Sequence, residues 1–201
     1  MSTNRLEAFS DGVLAVAITL LVLNITVPHG HHLWHELTQQ WQEYVAYVTS
    51  FITIGIIWVN HHAMISRLRE ADHTILILNL FLLMSVGLLP FATALVAEYL
   101  KAGHDQNLAA AIYSGALLLM SLVFTALNRQ ILVVKAHLMH TSLPAEHRRA
   151  IFNRAVTGLV PYAIATAAAA VSPYATLAIC AAVAVFYATP LASGAPTDGG
   201  A

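Results

Sequence analysis

The sequence is poor in charge. Only 9% of its 201 residues are Asp, Glu, Lys or Arg, against 58% hydrophobic residues, whereas a soluble domain normally carries about 25% charged residues. That shortage excludes a soluble globular domain and leaves a polytopic membrane protein, of a length that suits one domain. The formal charge of -1 supplies no basic surface, so no nucleic-acid partner is expected. There is one cysteine, Cys180, inside an apolar run; this excludes a disulfide framework and a Cys-based metal site, and the thiol reads as a packing residue. No G-x-S-x-G, no H-E-x-x-H and no close pair of carboxylates within an apolar run occurs. Ser10, Asp11 and His61 do not make a hydrolase trio either, because adjacent residues on a helix point about 100° apart. An enzyme is not expected. No internal repeat is visible, which speaks against the inverted halves of many secondary transporters. No A-x-A-like cleavage site precedes His29, so the first apolar stretch reads as a retained span and not as a signal peptide.

What the chain does have is six apolar segments, at 6–27, 43–66, 73–99, 107–134, 149–171 and 173–190, each near the roughly 20 residues that cross a bilayer. The expectation is an all-α protein with six transmembrane helices over 1–190, followed by a disordered tail, 191–201, rich in Gly and Ala. The fourth segment is long, and its Asn128, Arg129 and Lys135 suggest a helix that continues beyond the bilayer. Ser172-Pro173 makes a tight turn between the last two spans, and Pro190 ends the sixth. In this scheme Arg5, Arg67, Arg69, Arg129, Lys135, Arg148, Arg149 and Arg154 lie on one side and Lys101 alone on the other. The positive-inside rule then places both termini in the cytoplasm of a multi-pass protein of the cell membrane. Trp34, Trp41, Tyr44 and Tyr47 fall near the outer interface, where amphipathic rings collect. The alanines of segments five and six, with Gly55, Gly87 and Gly115, read as close-packing positions.

The first segment carries the most information. It opens on Arg5, Glu7, Phe9, Ser10 and Asp11 and runs straight into an apolar stretch. A carboxylate placed in a membrane span costs about 2.5–3.5 kcal/mol on insertion scales, so Asp11 needs a partner or a water-filled cavity. On a 3.6-residue wheel Phe9, Gly12, Val16, Leu20 and Leu23 share one stripe with Thr19 at its margin. Ser10 and Asp11 point away from that stripe in different directions. The wheel by itself leaves two readings open: a helix with two functional surfaces, or an ordinary packed helix with a polar cap.

Two groups of histidines stand out. His29, His31, His32 and His35 cluster in the loop after the first segment. Such a set binds zinc or senses pH when a ligand set is complete, but no Asp or Cys completes this one and a solvated loop is the preferred reading. His61 and His62 end the second segment, one turn from Trp58, where with Asn60 and Asn79 they can reach the Arg5/Ser10/Asp11 cluster at the same depth.

Arg5-x-x-x-Phe9-Ser10-Asp11, continuing through Gly12 to Leu23, resembles the signature of prokaryotic relatives of the lysosomal/endosomal potassium channel. Trp58-x-x-His61-His62 and Asn79-Leu80-Phe81, running on to Leu89-Pro90-Phe91, extend the likeness. The resemblance covers the chain in length and helix count, specifically in the first three segments and generically in the last three. It implies a polar network of Arg5, Phe9, Ser10, Asp11, Trp58, His61 and Asn79. It also implies a homotetramer with no re-entrant filter loop, and the chain indeed lacks Thr-Val-Gly-Tyr-Gly. Four first helices around an axis would present Gly12, Val16, Thr19, Leu20 and Leu23 to permeating monovalent cations. Apolar rings would gate by dewetting, and potassium near the Thr19 oxygens would be held without a cofactor and with modest selectivity. The competing expectation is a proton-coupled secondary transporter using Asp11 and His61 as a relay; a non-conducting scaffold is a third.

Overall fold

A computed structural model describes residues 3–29, 32–140 and 143–189. His31, Pro190 and the tail 191–201 lie outside the described residues. The chain forms α1 (Thr3–Val22), α2 (Leu33–Gln39), α3 (Trp41–Ile65), α4 (His73–Gly87), α5 (Leu89–Ala102), α6 (Gln106–Arg129), α7 (Ala145–Thr157), α8 (Leu159–Ala168) and α9 (Pro173–Ala188). Among the described residues the only β-type pairing is one isolated antiparallel bridge, Leu68 with Met139, so the architecture is all-helical.

Local chemistry explains the breaks. Asp72 caps α4 by accepting the Ile75 N–H at 2.9 Å, and Ser172 caps α9 by accepting the Ala175 N–H at 3.2 Å with Pro173 just inside the helix. Pro90 has no N–H to donate, and the rod from His73 breaks at Leu88 just before it, separating α4 from α5. α5 stops at Gly103, whose φ of 80° is the left-handed turn a helix terminus favours. α6 widens into a π-turn at Gln130–Val134, followed by a short 3-10 turn at Ala136–Leu138, so the helical path runs on past Arg129.

Among the described residues three stretches are long and apolar enough to cross a membrane: Trp41–Ile65, His73–Ala102 and Gln106–Val134; Pro173–Ala188 is a shorter apolar helix. α1 has 20 residues but carries Arg5, Glu7 and Asp11 in its first half. The segment expected at 149–171 is divided. α7 is polar with no residue buried, and α8 is a ten-residue apolar helix. They meet at Gly158, where an added Cβ would lie 3.0 Å from the Tyr187 hydroxyl.

α6 packs against α4, α5, α8 and α9, and α3 against α1, α5 and α9, so these two helices form the centre of the bundle. α1 lies at its side against α3, α4 and α5. Lipid tails are as apolar as leucine, so association inside a bilayer leans on van der Waals packing and interhelical hydrogen bonds. Ser50 supplies such bonds: its hydroxyl lies 2.8 Å from Thr93 and 3.0 Å from the Tyr113 hydroxyl, joining α3, α5 and α6. Cys180 is a buried free thiol among these helices.

At the end of the bundle that carries most basic residues, two loops are stitched together. The Arg69 N–H donates to the Leu138 carbonyl and the His140 N–H to that of Arg67, both at 2.9 Å. Lys135 lies 3.3 Å from Asp72, and Arg148 donates to the Leu132 carbonyl at 2.9 Å. The Ile75 N–H, with Lys135 beside it, holds the Asp72 carboxyl below the usual carboxylate range.

Candidate functional site

α1 has two unlike faces, and its residue order sets them. Leu6, Ser10, Leu14, Ala17 and Leu21 recur at helical spacing and are all buried against α3, α4 and α5. Phe9, Gly12, Val16, Thr19, Leu20 and Leu23 are exposed, with Val16 at 57% and Leu23 at 74%. The structure therefore brings the expected stripe together on one unpartnered face. Phe9, expected in the polar network as well, lies on this face and not among the hydrogen bonds. Thr19 donates its hydroxyl proton to the Val16 carbonyl at 2.9 Å, which leaves an acceptor oxygen on the exposed surface.

At the N-terminal end of α1 the buried face is anchored by hydrogen bonds. Ser10 donates to the Leu6 carbonyl at 2.8 Å, so its oxygen is free to accept the Asn79 side-chain N–H at 3.0 Å. The Asn79 amide oxygen then faces the His61 Nε2 at 2.7 Å. Because each proton in this chain is already committed, Nε2 must carry the hydrogen and donate it. The run His61, Asn79, Ser10, Leu6 carbonyl is thus directional, and it leaves His61 Nδ1 buried without a partner among the described residues. His61, Asn79 and Ser10 are fully buried.

Asp11 sits apart from this chain. Its carboxylate accepts the Trp58 Nε1–H at 2.9 Å, while half-exposed Glu7 pairs with His62 Nδ1 at 2.6 Å. Arg5 is exposed and belongs to neither set. Asn60 turns back onto the Ile56 carbonyl at 2.8 Å and does not join. Of the residues expected at this depth, the structure therefore unites Ser10, Asn79 and His61 in one chain and Asp11 with Trp58 in a second contact.

A second cluster, at the C-terminal end of α1, was not anticipated. Glu43, in the first turn of α3, is buried. It accepts the Thr26 N–H at 2.8 Å, the Thr26 hydroxyl at 3.0 Å and Lys101 at 3.0 Å. Gln40 reaches the Thr26 hydroxyl at 3.1 Å, and Asn24 donates to the Pro90 carbonyl at 2.8 Å. Two sequence signals pointed this way: Lys101 is the one basic residue on its side, and Glu43 falls in a helix first turn, where the macrodipole favours a carboxylate.

The loop histidines do not assemble. His29, His32 and His35 are exposed, His35 contacts Gln39 at 3.2 Å, and among the described residues no three His, Cys, Asp or Glu side chains group to hold a metal ion.

Residues 5–90 match the family model described as endosomal/lysosomal potassium channel TMEM175. A potassium channel of Streptomyces collinus is 43% identical over 92% of this chain and 91% of its own length. The crystal structure of a lysosomal potassium-selective channel TMEM175 homolog from Chamaesiphon minutus superposes with a TM-score of 0.82 at 36% identity, covering 96% of this chain and 98% of that one. A Danio rerio relative, named an endosomal/lysosomal proton channel, is 31% identical over 80% of this chain, which spans 33% of that longer protein. These relatives are ion channels and not enzymes. The chain belongs to the endosomal/lysosomal potassium channel TMEM175 family.

Proposed function

We propose that four copies of this chain assemble around an axis lined by α1 and form a potassium-permeable, modestly selective cation channel in the cell membrane. The observation that carries this reading is the division of α1: one face is packed and tied at both ends, and the other is exposed from Phe9 to Leu23. One helix cannot enclose a path, whereas closed rotational symmetry brings several together. In such a ring Gly12, Val16, Thr19, Leu20 and Leu23 face the axis. A Cβ added to Gly12 would meet nothing within 4 Å in this chain, so the bare position is not required by packing within one copy and suits close approach of another.

Val16, Leu20 and Leu23 then form apolar rings that gate by dewetting, and the Thr19 oxygens replace part of the hydration shell of a potassium ion. A site with no carbonyl cage and no charged ring discriminates weakly, and it needs no cofactor. Six crossings, with α7 and α8 together making the fifth, keep both termini in the cytoplasm beside the excess of Lys and Arg. A proton relay from His61 to Asp11 is less well supported, since the hydrogen bonds from His61 run through Asn79 and Ser10 to a carbonyl and do not reach Asp11.

The test is potassium flux into liposomes containing the purified chain, with Thr19→Val beside it. Flux with a lowered potassium-over-sodium preference in the variant, at unchanged assembly, supports the reading. Unchanged selectivity in an assembled Thr19→Val channel removes the threonine layer from the mechanism, and absence of flux in the parent protein removes the channel.

A further inference from the structure

The exposed stripe of α1 lies between two anchors. The Ser10 and Asp11 contacts hold its N-terminal end. Its C-terminal end winds into 3-10 bonding, with the N–H groups of Leu23, Asn24 and Ile25 reaching back three residues at 3.1–3.2 Å, and the chain leaves α1 after Val22. What fixes that end is not α1 itself. Asn24 donates to the carbonyl of Pro90, at the start of α5 just after the break between α4 and α5. Thr26 gives both its N–H and its hydroxyl to Glu43. Glu43 in turn is buried on α3 and held by Lys101 from the last turn of α5.

A buried carboxylate with three donors fixes position sharply, because any displacement leaves it unpaired in a low-dielectric site. Lys101 keeps its ammonium partly in water, with 42% of its side chain exposed. It compensates the charge without surrounding it, and the Thr26 N–H is left as the directional contact.

We infer that Glu43 is a positioning residue for conduction: through Thr26 it sets where the C-terminal end of α1, and with it Leu23, stands at the axis. This rests on the reading of α1 as the pore helix. A residue that touches no permeating ion but fixes the element that does shifts function by about 0.5–2 kcal/mol, or about twofold to thirtyfold.

The experiment compares the full chain with Glu43→Leu and Glu43→Gln in planar bilayers, reading unitary potassium conductance and potassium-over-sodium permeability. A nitroxide at Val27, with a second at Ala8 as control, reports the mobility of each end of α1. Glu43→Leu removes the acceptor and should shift conductance or selectivity by about twofold or more and loosen the label at position 27 but not at 8. Glu43→Gln keeps a carbonyl oxygen for the Thr26 N–H and should stay near the parent in both readouts.

Lower thermal stability in Glu43→Leu with conductance, selectivity and label mobility unchanged would mean a merely structural role and overturns the inference. Where Glu43→Leu does not assemble, Thr26→Pro decides, because it removes both the N–H and the hydroxyl that reach Glu43: loosening at position 27 with altered permeation supports the tie, and no change in either overturns it. Leu23→Asn runs in parallel. If it alters permeation and the Glu43 and Thr26 variants do not, the inference fails and the pore reading stands; if none alters permeation, the pore reading fails.

Discussion

Asn79→Leu is the perturbation that probes the N-terminal anchor of α1 most sharply. The replacement is close in size and puts an apolar group where the amide stood, so its effect is almost entirely in hydrogen bonds. His61 loses the acceptor for its Nε2–H, and its Nδ1 is already without a partner, so a fully buried ring keeps no polar contact. An orphaned buried donor costs about 1–3 kcal/mol, and the bond lost at Ser10 adds about 0.5–1.5 kcal/mol. Ser10 loses less because it still donates to the Leu6 carbonyl. Asp11→Asn should be much milder. Neutralising a carboxylate buried against Arg5 would cost about 3–5 kcal/mol, but Asp11 is half-buried and faces Trp58. An asparagine oxygen still accepts that N–H, and the charge assistance lost is worth about 1 kcal/mol. At about 2–4 °C per kcal/mol for a chain of this size, thermal unfolding in detergent should fall by about 3–18 °C for Asn79→Leu and by about 2–4 °C for Asp11→Asn. Adding His61→Leu to Asn79→Leu removes the orphan and should recover part of the loss, a coupling of about 1–3 kcal/mol. Equal shifts for Asn79→Leu and Asp11→Asn, or strict additivity of the two apolar replacements, would refute the directional chain.

Three further expectations are open to direct measurement. Val16→Thr or Leu23→Asn should wet the constriction and raise ion flux; if the stripe is packed instead, each should reduce assembly by burying an unpaired polar group at about 1–3 kcal/mol. Cysteine at His104, exposed after α5, should label from outside intact cells, and cysteine at Glu70, in the loop before α4, should not; buried Cys180 stays silent, and outside labelling at 70 would overturn the proposed orientation. Asp72→Ala should cost about 0.5–2 kcal/mol through loss of the α4 cap, with Asp72→Asn keeping the cap and losing only the part that depends on charge. Because the folded carboxyl titrates below its unfolded value, that charge-dependent part is present above about pH 4 and fades as the pH falls through the folded value, so melting curves of Asp72→Asn and parent should converge in acid and separate at neutral pH.

The fold was legible wherever hydrophobicity ran long. Segments 43–66, 73–99 and 107–134 correspond to Trp41–Ile65, His73–Ala102 and Gln106–Val134, and Ser172-Pro173 marks the turn into α9. The division of 149–171 was passed over although Pro161 marks it: its ring offers no N–H to the Thr157 carbonyl, so the helix is interrupted just ahead of it. The extra helix α2 fell in a loop whose sequence, Leu33–Gln39, mixes apolar and polar residues without a long period. The end of the α6 extension was equally hidden, since its π-turn is tied to Asp72 and Arg148 by contacts distant in sequence.

The candidate site divides along the same physical line. A helical wheel captures which residues of α1 share a face, because that depends only on 3.6 residues per turn, and Phe9, Gly12, Val16, Thr19, Leu20 and Leu23 are indeed exposed together. It captures no partner, because a partner is chosen by another helix. Arg5 was the obvious counter-charge for Asp11 and is exposed, while an uncharged indole takes the carboxylate. Glu43 is singled out by no motif and is buried, since Thr26 and Lys101 arrive from segments 17 and 58 residues away. Both placements have one cause: within a bilayer a polar side chain is placed by the donors that can reach it, and those lie on neighbouring helices. Periodicity therefore marks the face of α1 left unpacked, and only the packed bundle shows what holds α1 at each end.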